Sequence, residues 1–269
     1  MFLEDNEIKI NKEFTEKGYI VRKIKNLDYK NYINSIFINF IKKKINLKEL
    51  KNLSDNDILN NFHKFMEVKD LNKFRVDLIH HINKDKLIRE KYFQLGKEYL
   101  YLIAGNELVM QKRINLSIQL PNDKSSLLPI HSDTWSGDSP YEVVLWIPLV
   151  NCYSTKSMYI LPPKYLPEIN KSFSNGIYDG DSEKIFKKFK KKVEWINIKI
   201  NEVLIFNQNL PHGNVVNLEP ETRWSLNCRF KSIFSPYGDK KIGEFFEPIT
   251  LRAISQIGMN YKYPDESKS

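Results

Sequence analysis

Five histidines occur in this 269-residue chain, and two lie in segments that could hold a metal. His131 opens the run His131-Ser-Asp133. On an extended strand, residues i and i+2 point to the same face, so an imidazole and a carboxylate would project side by side. His212 follows 81 residues later, in Leu210-Pro-His-Gly-Asn214. Two imidazoles and one carboxylate, with the opposite side open, form the donor set of a non-haem Fe(II) centre that takes a bidentate co-substrate and O₂.

A second constellation begins 11 residues after His212, in Thr222-Arg-Trp-Ser-Leu-Asn-Cys-Arg-Phe230. Alternation puts Arg223, Ser225, Asn227 and Arg229 on one strand face, and Trp224, Leu226, Cys228 and Phe230 on the other. The chain has only seven Arg against 35 Lys, so two Arg on one short strand face stand out. Such a face is costly to bury without a partner. An Arg fork beside a hydroxyl suits a carboxylate, and the partner it points to is a dicarboxylate.

The elements that must carry these residues change character near residue 110. Residues 1–110 read as mostly helical after a short extended stretch at 18–22. Apolar residues recur at helical spacing over 32–41, 58–66, 71–82 and 87–103. From Arg113 the period becomes two, and Arg113, Asn115, Ser117 and Gln119 form the polar face of a strand. Further strands are expected at 128–133, 141–150, 156–161, 193–199, 202–208, 213–217 and 222–232, separated by Pro, Gly, Asn and Asp turn signals. Segment 164–192 interrupts them as a helical insertion, and the tail holds a last helix over 244–260 and a polar end at 265–269. No linker or repeat divides the chain. The expected fold is a double-stranded β-helix, a jelly-roll or cupin-like barrel with a core over 112–235 and an N-terminal helical layer, forming one domain over 1–269.

At these residues the chain resembles the Fe(II)/2-oxoglutarate-dependent dioxygenases, whose HxD…H…RxS signature is matched by His131-Ser-Asp133, His212 and Arg223-Trp-Ser225. The segment Phe14-Thr-Glu-Lys-Gly-Tyr-Ile20 is similar to the start of the phytanoyl-CoA dioxygenase-like branch. Residues 113–237 most resemble a bacterial subgroup found in sporadic carbohydrate-biosynthesis clusters. The resemblance implies that His131, Asp133 and His212 bind Fe(II). It implies that Arg223 and Ser225 hold the distal carboxylate of 2-oxoglutarate, with O₂ as co-substrate and succinate and CO₂ as products. Arg229 stands where the nucleic-acid demethylase branch has a second Arg, and is expected to partner Asp133 or the co-substrate. The chain departs from many relatives at Ser157-Met-Tyr-Ile-Leu-Pro-Pro163, where they run into a Gly-Ser-His motif.

The expected activity is oxidation of a small polar metabolite, a carbohydrate or nucleotide-sugar in surface polysaccharide biosynthesis. Asn115, Gln119, Trp135 and Asn227 are candidate substrate contacts. Each has a plainer reading: a solvent-facing strand edge for Asn115 and Gln119, packing for Trp135, and a polar liner for Asn227. Tyr159 either reaches the co-substrate or fills the core. His63, His80 and His81 read as ordinary helix histidines, the adjacent pair pointing apart. A zinc hydrolase could use the same three ligands but needs neither Arg223 nor Ser225. A cupin would show HxH with a Glu before its last His, and a halogenase of this fold would lack the carboxylate.

The net charge of +9 argues less than its size implies. Lys, Asn and Ile dominate, and all three follow from A/T-rich codons. Nucleic-acid modification by an oxygenase, and metal-free sugar binding by a jelly roll, are the alternative functions. The Lys run at 184–192 could attract an anionic substrate or form a solvated helix face. Two cysteines exclude a disulfide framework. The N-terminus does not read as a signal peptide, and the longest apolar stretch, 143–150, is far below the ~20 residues of a membrane helix. A soluble, cytoplasmic protein is expected.

Overall fold

A computed structural model describes residues 2–45, 50, 52–174 and 181–264. The polar end at 265–269 and part of the 164–192 insertion lie outside the described residues. The helical layer comprises α1 (Asp5–Lys17), α2 (Leu27–Lys44), α3 (Asp55–Asn60), α4 (Val68–Lys84) and α5 (Lys86–Ala104), with strand β1 (Tyr19–Lys23) between the first two helices. Side-chain caps fix several helix starts: Asn26 accepts from the Asp28 amide, and Asp85 from the Leu87 amide.

The strands follow as β2 (Leu108–Gln111), β3 (Asn115–Gln119), β4 (Val143–Pro148), β5 (Tyr159–Ile160), β6 (Glu194–Trp195), β7 (Glu202–Asn207), β8 (His212–Gly213), β9 (Arg223–Ser232) and β10 (Phe246–Pro248). The larger sheet runs β1-β7-β4-β9-β2-β10, and β3 also pairs with β9. The smaller sheet is β6-β5-β8. Every strand pairing within the two sheets is antiparallel.

Register decides which side chains meet. Asn115 lies opposite Asn227, Ser117 opposite Ser225 and Gln119 opposite Arg223. On the other flank of β9, Trp146 lies opposite Asn227 and Val144 opposite Arg229. The even-numbered residues of β9 point to the helices. Trp224 is fully buried there, edge-on to Phe37 and Phe62, and its indole N–H donates to the Leu59 carbonyl. Tyr92 of α5 donates to the Leu145 carbonyl at 2.6 Å. Gly96 lets α5 approach that strand, since a Cβ there would lie 2.7 Å from Leu145 Cδ1.

One hydrophobic cluster joins the helices to the larger sheet, from Ile10 to Phe230. A second packs α6 (Leu166–Ser174) and α7 (Ser182–Phe189) against the smaller sheet, with Tyr159 in it. Trp224→Ala removes the bulkiest group between Arg223 and Ser225. It is expected to destabilise the fold by about 3–5 kcal/mol, read as a lower urea midpoint at unchanged slope.

Several elements differ from the sequence reading: the strands expected at 156–161 and 193–199 are only β5 and β6, and the helical run at 58–66 is the end of α3 followed by a 3-10 turn over Phe62–Lys64. Residues 128–133 form no strand: one bridge pairs His131 with His212, and a turn of 3-10 helix begins at Asp133. The stretch expected as a strand at 213–217 is only β8, because Asn214 and Asn217 use their side chains to bind neighbouring backbone. The tail over 244–260 is not one helix. It holds β10, which pairs with β2, and then α8 (Ala253–Met259). Among the described residues, no helix is long and apolar enough to cross a membrane.

Candidate active site

The inner face of the larger sheet closes one side of a cavity of about 510 Å³. Asn115, Ser117, Val144, Trp146, Arg223, Ser225, Asn227 and Arg229 line it from the sheet. His131, Asp133, His212 and Gly213 line it from the opposite side.

His131 and His212 are bound to each other through both backbone N–H···O bonds, at 2.9 and 2.8 Å. Each imidazole Nδ1 lies against a carbonyl two residues earlier, Pro129 for His131 and Leu210 for His212. That fixes each ring and leaves its Nε2 for a ligand. Asp133 reaches the same place from the 3-10 turn, with Oδ1 at 3.5 Å from His131 Nε2. One donor atom from each of the three residues falls within 4.8 Å of the others. Among the described residues this is the one such group of His, Cys, Asp and Glu. Gly213 permits the close approach, since a Cβ there would lie 2.7 Å from the Leu128 carbonyl oxygen.

The electrostatics favour the metal-binding protonation state at His212 and Asp133; at His131 burial works against the proton, but the Asp133 and Pro129 hydrogen bonds outweigh it and push the imidazole up. Burial pushes the His212 imidazole down to about 4, and the neighbouring His131 adds to the effect, so it is neutral at pH 7. Burial opposes charge on Asp133. The His131 hydrogen bond and the Arg229 guanidinium outweigh it and hold the carboxyl well below the usual range.

Arg229 Nη2 donates to Asp133 Oδ2 at 2.7 Å. Its Nε donates to Gln208 Oε1 at 3.0 Å and lies 3.4 Å from Asp138 Oδ2. Gln208 in turn donates to Glu142 and to the Ser139 carbonyl. Arg229 is therefore a positioning residue for Asp133. Arg229→Gln is expected to weaken Fe(II) binding by about 10- to 100-fold. A purely structural role would instead lower the melting temperature and leave metal affinity in the folded fraction unchanged.

Arg223 is buried with no carboxylate in reach among the described residues. Its Nη1 donates to the Ser157 carbonyl at 3.2 Å and its Nη2 to Ser117 Oγ at 2.8 Å. Its Nε, the Ser225 hydroxyl and the Ser157 hydroxyl have no partner. Burial pushes the guanidinium down to about 10, still protonated at neutral pH. A buried cation with idle donors beside it is the cradle an anion would complete.

The other candidates separate. Asn115 and Asn227 both line the cavity, and Asn115 Nδ2 donates to Asn227 Oδ1 at 3.0 Å. Gln119 is fully buried off the cavity wall, and its amide donates to the Val215 carbonyl. Trp135 is 40% exposed on the 3-10 turn and is not among the wall residues. Tyr159 fills the second hydrophobic cluster, against Phe186 and Trp195. His63 binds Thr222, and His81 lies against Phe40. Sequence reasoning missed Gln208, Asp138 and Glu142, which serve Arg229, and also Trp146 and Arg75 of the wall. Asp138 sits in the segment read only as a turn, and turn residues give no sign of what they face.

No protein-family model matches the chain, and no curated protein does. Solved structures do. EvdMO1 aligns with a TM-score of 0.53 at 17% identity, over 84% of this chain and 50% of its own, so this chain spans about half the length of that relative. HygX from Streptomyces hygroscopicus, solved with nickel and 2-oxoglutarate bound, aligns with a TM-score of 0.50 at 11% identity, over 89% of this chain and 90% of its own. The shared architecture is the jelly-roll fold of the 2-oxoglutarate oxygenases.

Proposed function

We propose that this chain is an Fe(II)- and 2-oxoglutarate-dependent oxygenase that hydroxylates or otherwise oxidises a small polar metabolite. The observation that carries this reading is one cavity holding both a His131/Asp133/His212 donor set and a buried Arg223 with idle donors. Iron would be held by His131, Asp133 and His212, and the distal carboxylate of 2-oxoglutarate by Arg223 and Ser225. HygX, which shares the fold, was solved with nickel and 2-oxoglutarate bound.

The bound metal and co-substrate would supply the oxidising chemistry through activation of O₂ and loss of CO₂. The chain's own residues do the rest. His131 and His212 are locked in orientation by carbonyls, and Asp133 is kept ionised by His131 and Arg229. Val144, Trp146, Met158 and Phe206 line the same cavity and limit water around the reacting groups. The Asn115–Asn227 amide pair offers hydrogen bonds to substrate hydroxyls. A carbohydrate or nucleotide-sugar fits such a wall and accords with the subgroup resemblance. A reducing compartment such as the cytoplasm accords with Cys152 and Cys228, both buried free thiols. Arg229 is engaged by Asp133, Gln208 and Asp138, which removes one motive for a nucleic-acid substrate.

The test is anaerobic titration with Fe(II) and then 2-oxoglutarate, followed by succinate release in air. Binding of 2-oxoglutarate that requires the metal is the expected result. Absence of any metal-dependent binding would sink the assignment.

A further inference from the structure

The cavity wall carries three guanidinium groups, and two are accounted for. Arg229 is matched by Asp133 and Asp138. Arg223, on the reading above, is matched by the distal carboxylate of 2-oxoglutarate. The third is Arg75, which lines the same cavity from α4. Its Nη1 donates to Ser126 Oγ at 3.3 Å and its Nη2 to Asn72 Oδ1 at 3.1 Å, both neutral. No carboxylate lies in ion-pair reach of it among the described residues.

The ground around Arg75 is prepared. Ser125 and Ser126 line the cavity beside it. The nearest acid in that loop, Asp123, is buried and already occupied. It accepts from the Ser125 amide and hydroxyl at 2.7 and 2.8 Å, and from the Ser126 hydroxyl at 3.4 Å. Asn214, two residues past His212, accepts from the Leu128 amide and ties the other end of the loop to the metal-ligand strand. Ile79 and Leu116 also line the cavity, so its wall reaches past the free edge of β3 to α4. A substrate can therefore touch this loop and the metal ligands together.

We propose that Arg75 binds an oxyanion carried by the substrate, either a phosphate or a carboxylate, with the Ser125 and Ser126 hydroxyls left donating to Asp123. This deepens the oxygenase reading and rests on it for the word substrate, while the anion site itself does not need the metal. A guanidinium fork matches either oxyanion bidentately, and partial burial spares it some solvent screening.

The experiment compares glucose, glucose 1-phosphate and glucuronate by ligand-observed NMR. It uses the full chain without metal and again with Ni(II) and 2-oxoglutarate, as wild type, Arg75→Gln and Arg75→Lys. Gln keeps helix propensity at this half-exposed position, and equal melting temperatures check the fold. In the wild type, at least one charged sugar should bind about 10- to 100-fold more tightly than glucose. Salt should narrow that gap. Arg75→Gln should erase the preference, and Arg75→Lys should keep part of it. Which charged sugar wins separates phosphate from carboxylate. An unchanged charged-to-neutral ratio in Arg75→Gln, or no binding of either charged sugar at millimolar concentration, overturns the proposal. If 2-oxoglutarate fails to bind the metal-loaded wild type, the oxygenase reading falls instead, and the metal-free titrations still decide the anion site.

Discussion

Asp133→Asn is expected to abolish succinate formation while the protein stays folded. Asparagine matches the carboxylate in shape and keeps an oxygen for Arg229. It loses the charge that a divalent ion and the guanidinium would share. Asp133 is 7% exposed, and both of its oxygens face cationic or imidazole nitrogen: His131 Nε2 on one side and Arg229 Nη2 on the other. Truncation to alanine would do more, since it strips Arg229 of one acid in a buried place. Breaking a buried pair costs about 3–5 kcal/mol, reduced here because Asp138 still faces Arg229 Nε. Asp133→Ala should therefore lose metal and the most stability, and Asp133→Asn metal and less stability, since its amide oxygen still accepts from Arg229. Equilibrium dialysis against Fe(II) should show affinity reduced by a factor of about 100 or more in both, because a metal ligand is worth more than the 10- to 100-fold of its supporting partners. The melting curve should separate the two variants. Wild-type turnover in Asp133→Asn would remove Asp133 from the metal site.

How Asp133 gets there also shows what a sequence can and cannot display. The spacing of His131 and Asp133 points to a strand, on which alternate side chains share a face. The two side chains do converge, but by another route. His131 is held by the bridge to His212, and Asp133 turns toward it from the start of a 3-10 helix. The larger pattern was easier to read. Period-two alternation over β9 places Arg223, Ser225, Asn227 and Arg229 on the cavity side and Trp224 against the helices, as the structure has it. Periodicity is local, so it reports faces well. It does not report pairing. That is why β2 and β10, short strands joined across more than a hundred residues, gave no signal, and why Gln119 shared a polar strand face yet ended on the Val215 carbonyl. Arg75 was hidden for the same reason. It lies on an amphipathic helix whose neighbours are chosen by tertiary packing, and a helix pattern does not tell a cavity-facing cation from a solvated one.

Arg223 should show the opposite balance between binding and stability. In the protein alone, its guanidinium is 2% exposed and held only by a hydroxyl and a carbonyl, with its Nε unsatisfied. A buried charge without a counter-charge costs stability that a neutral side chain of similar length does not. Arg223→Met should therefore match or exceed the wild type in melting temperature when no 2-oxoglutarate is present. Adding the co-substrate should reverse the order. Ligand at about 100 times its dissociation constant stabilises a protein by about 2.7 kcal/mol, and Arg223→Met should forgo most of that. Losing one partner of a buried, hydrogen-bonded charge pair costs about 2–5 kcal/mol, which corresponds to roughly 30- to 5000-fold weaker 2-oxoglutarate binding. Iron affinity should move little, since Arg223 does not touch His131, Asp133 or His212. Arg223→Lys separates charge from geometry: it keeps the cation but not the fork, and should fall between the other two. Equal losses of iron and 2-oxoglutarate in Arg223→Met, or a fall in the melting temperature of the ligand-free protein, would make Arg223 a structural strut. With the stability order inverted by ligand, the strain of burying that charge is relieved only when the dicarboxylate arrives.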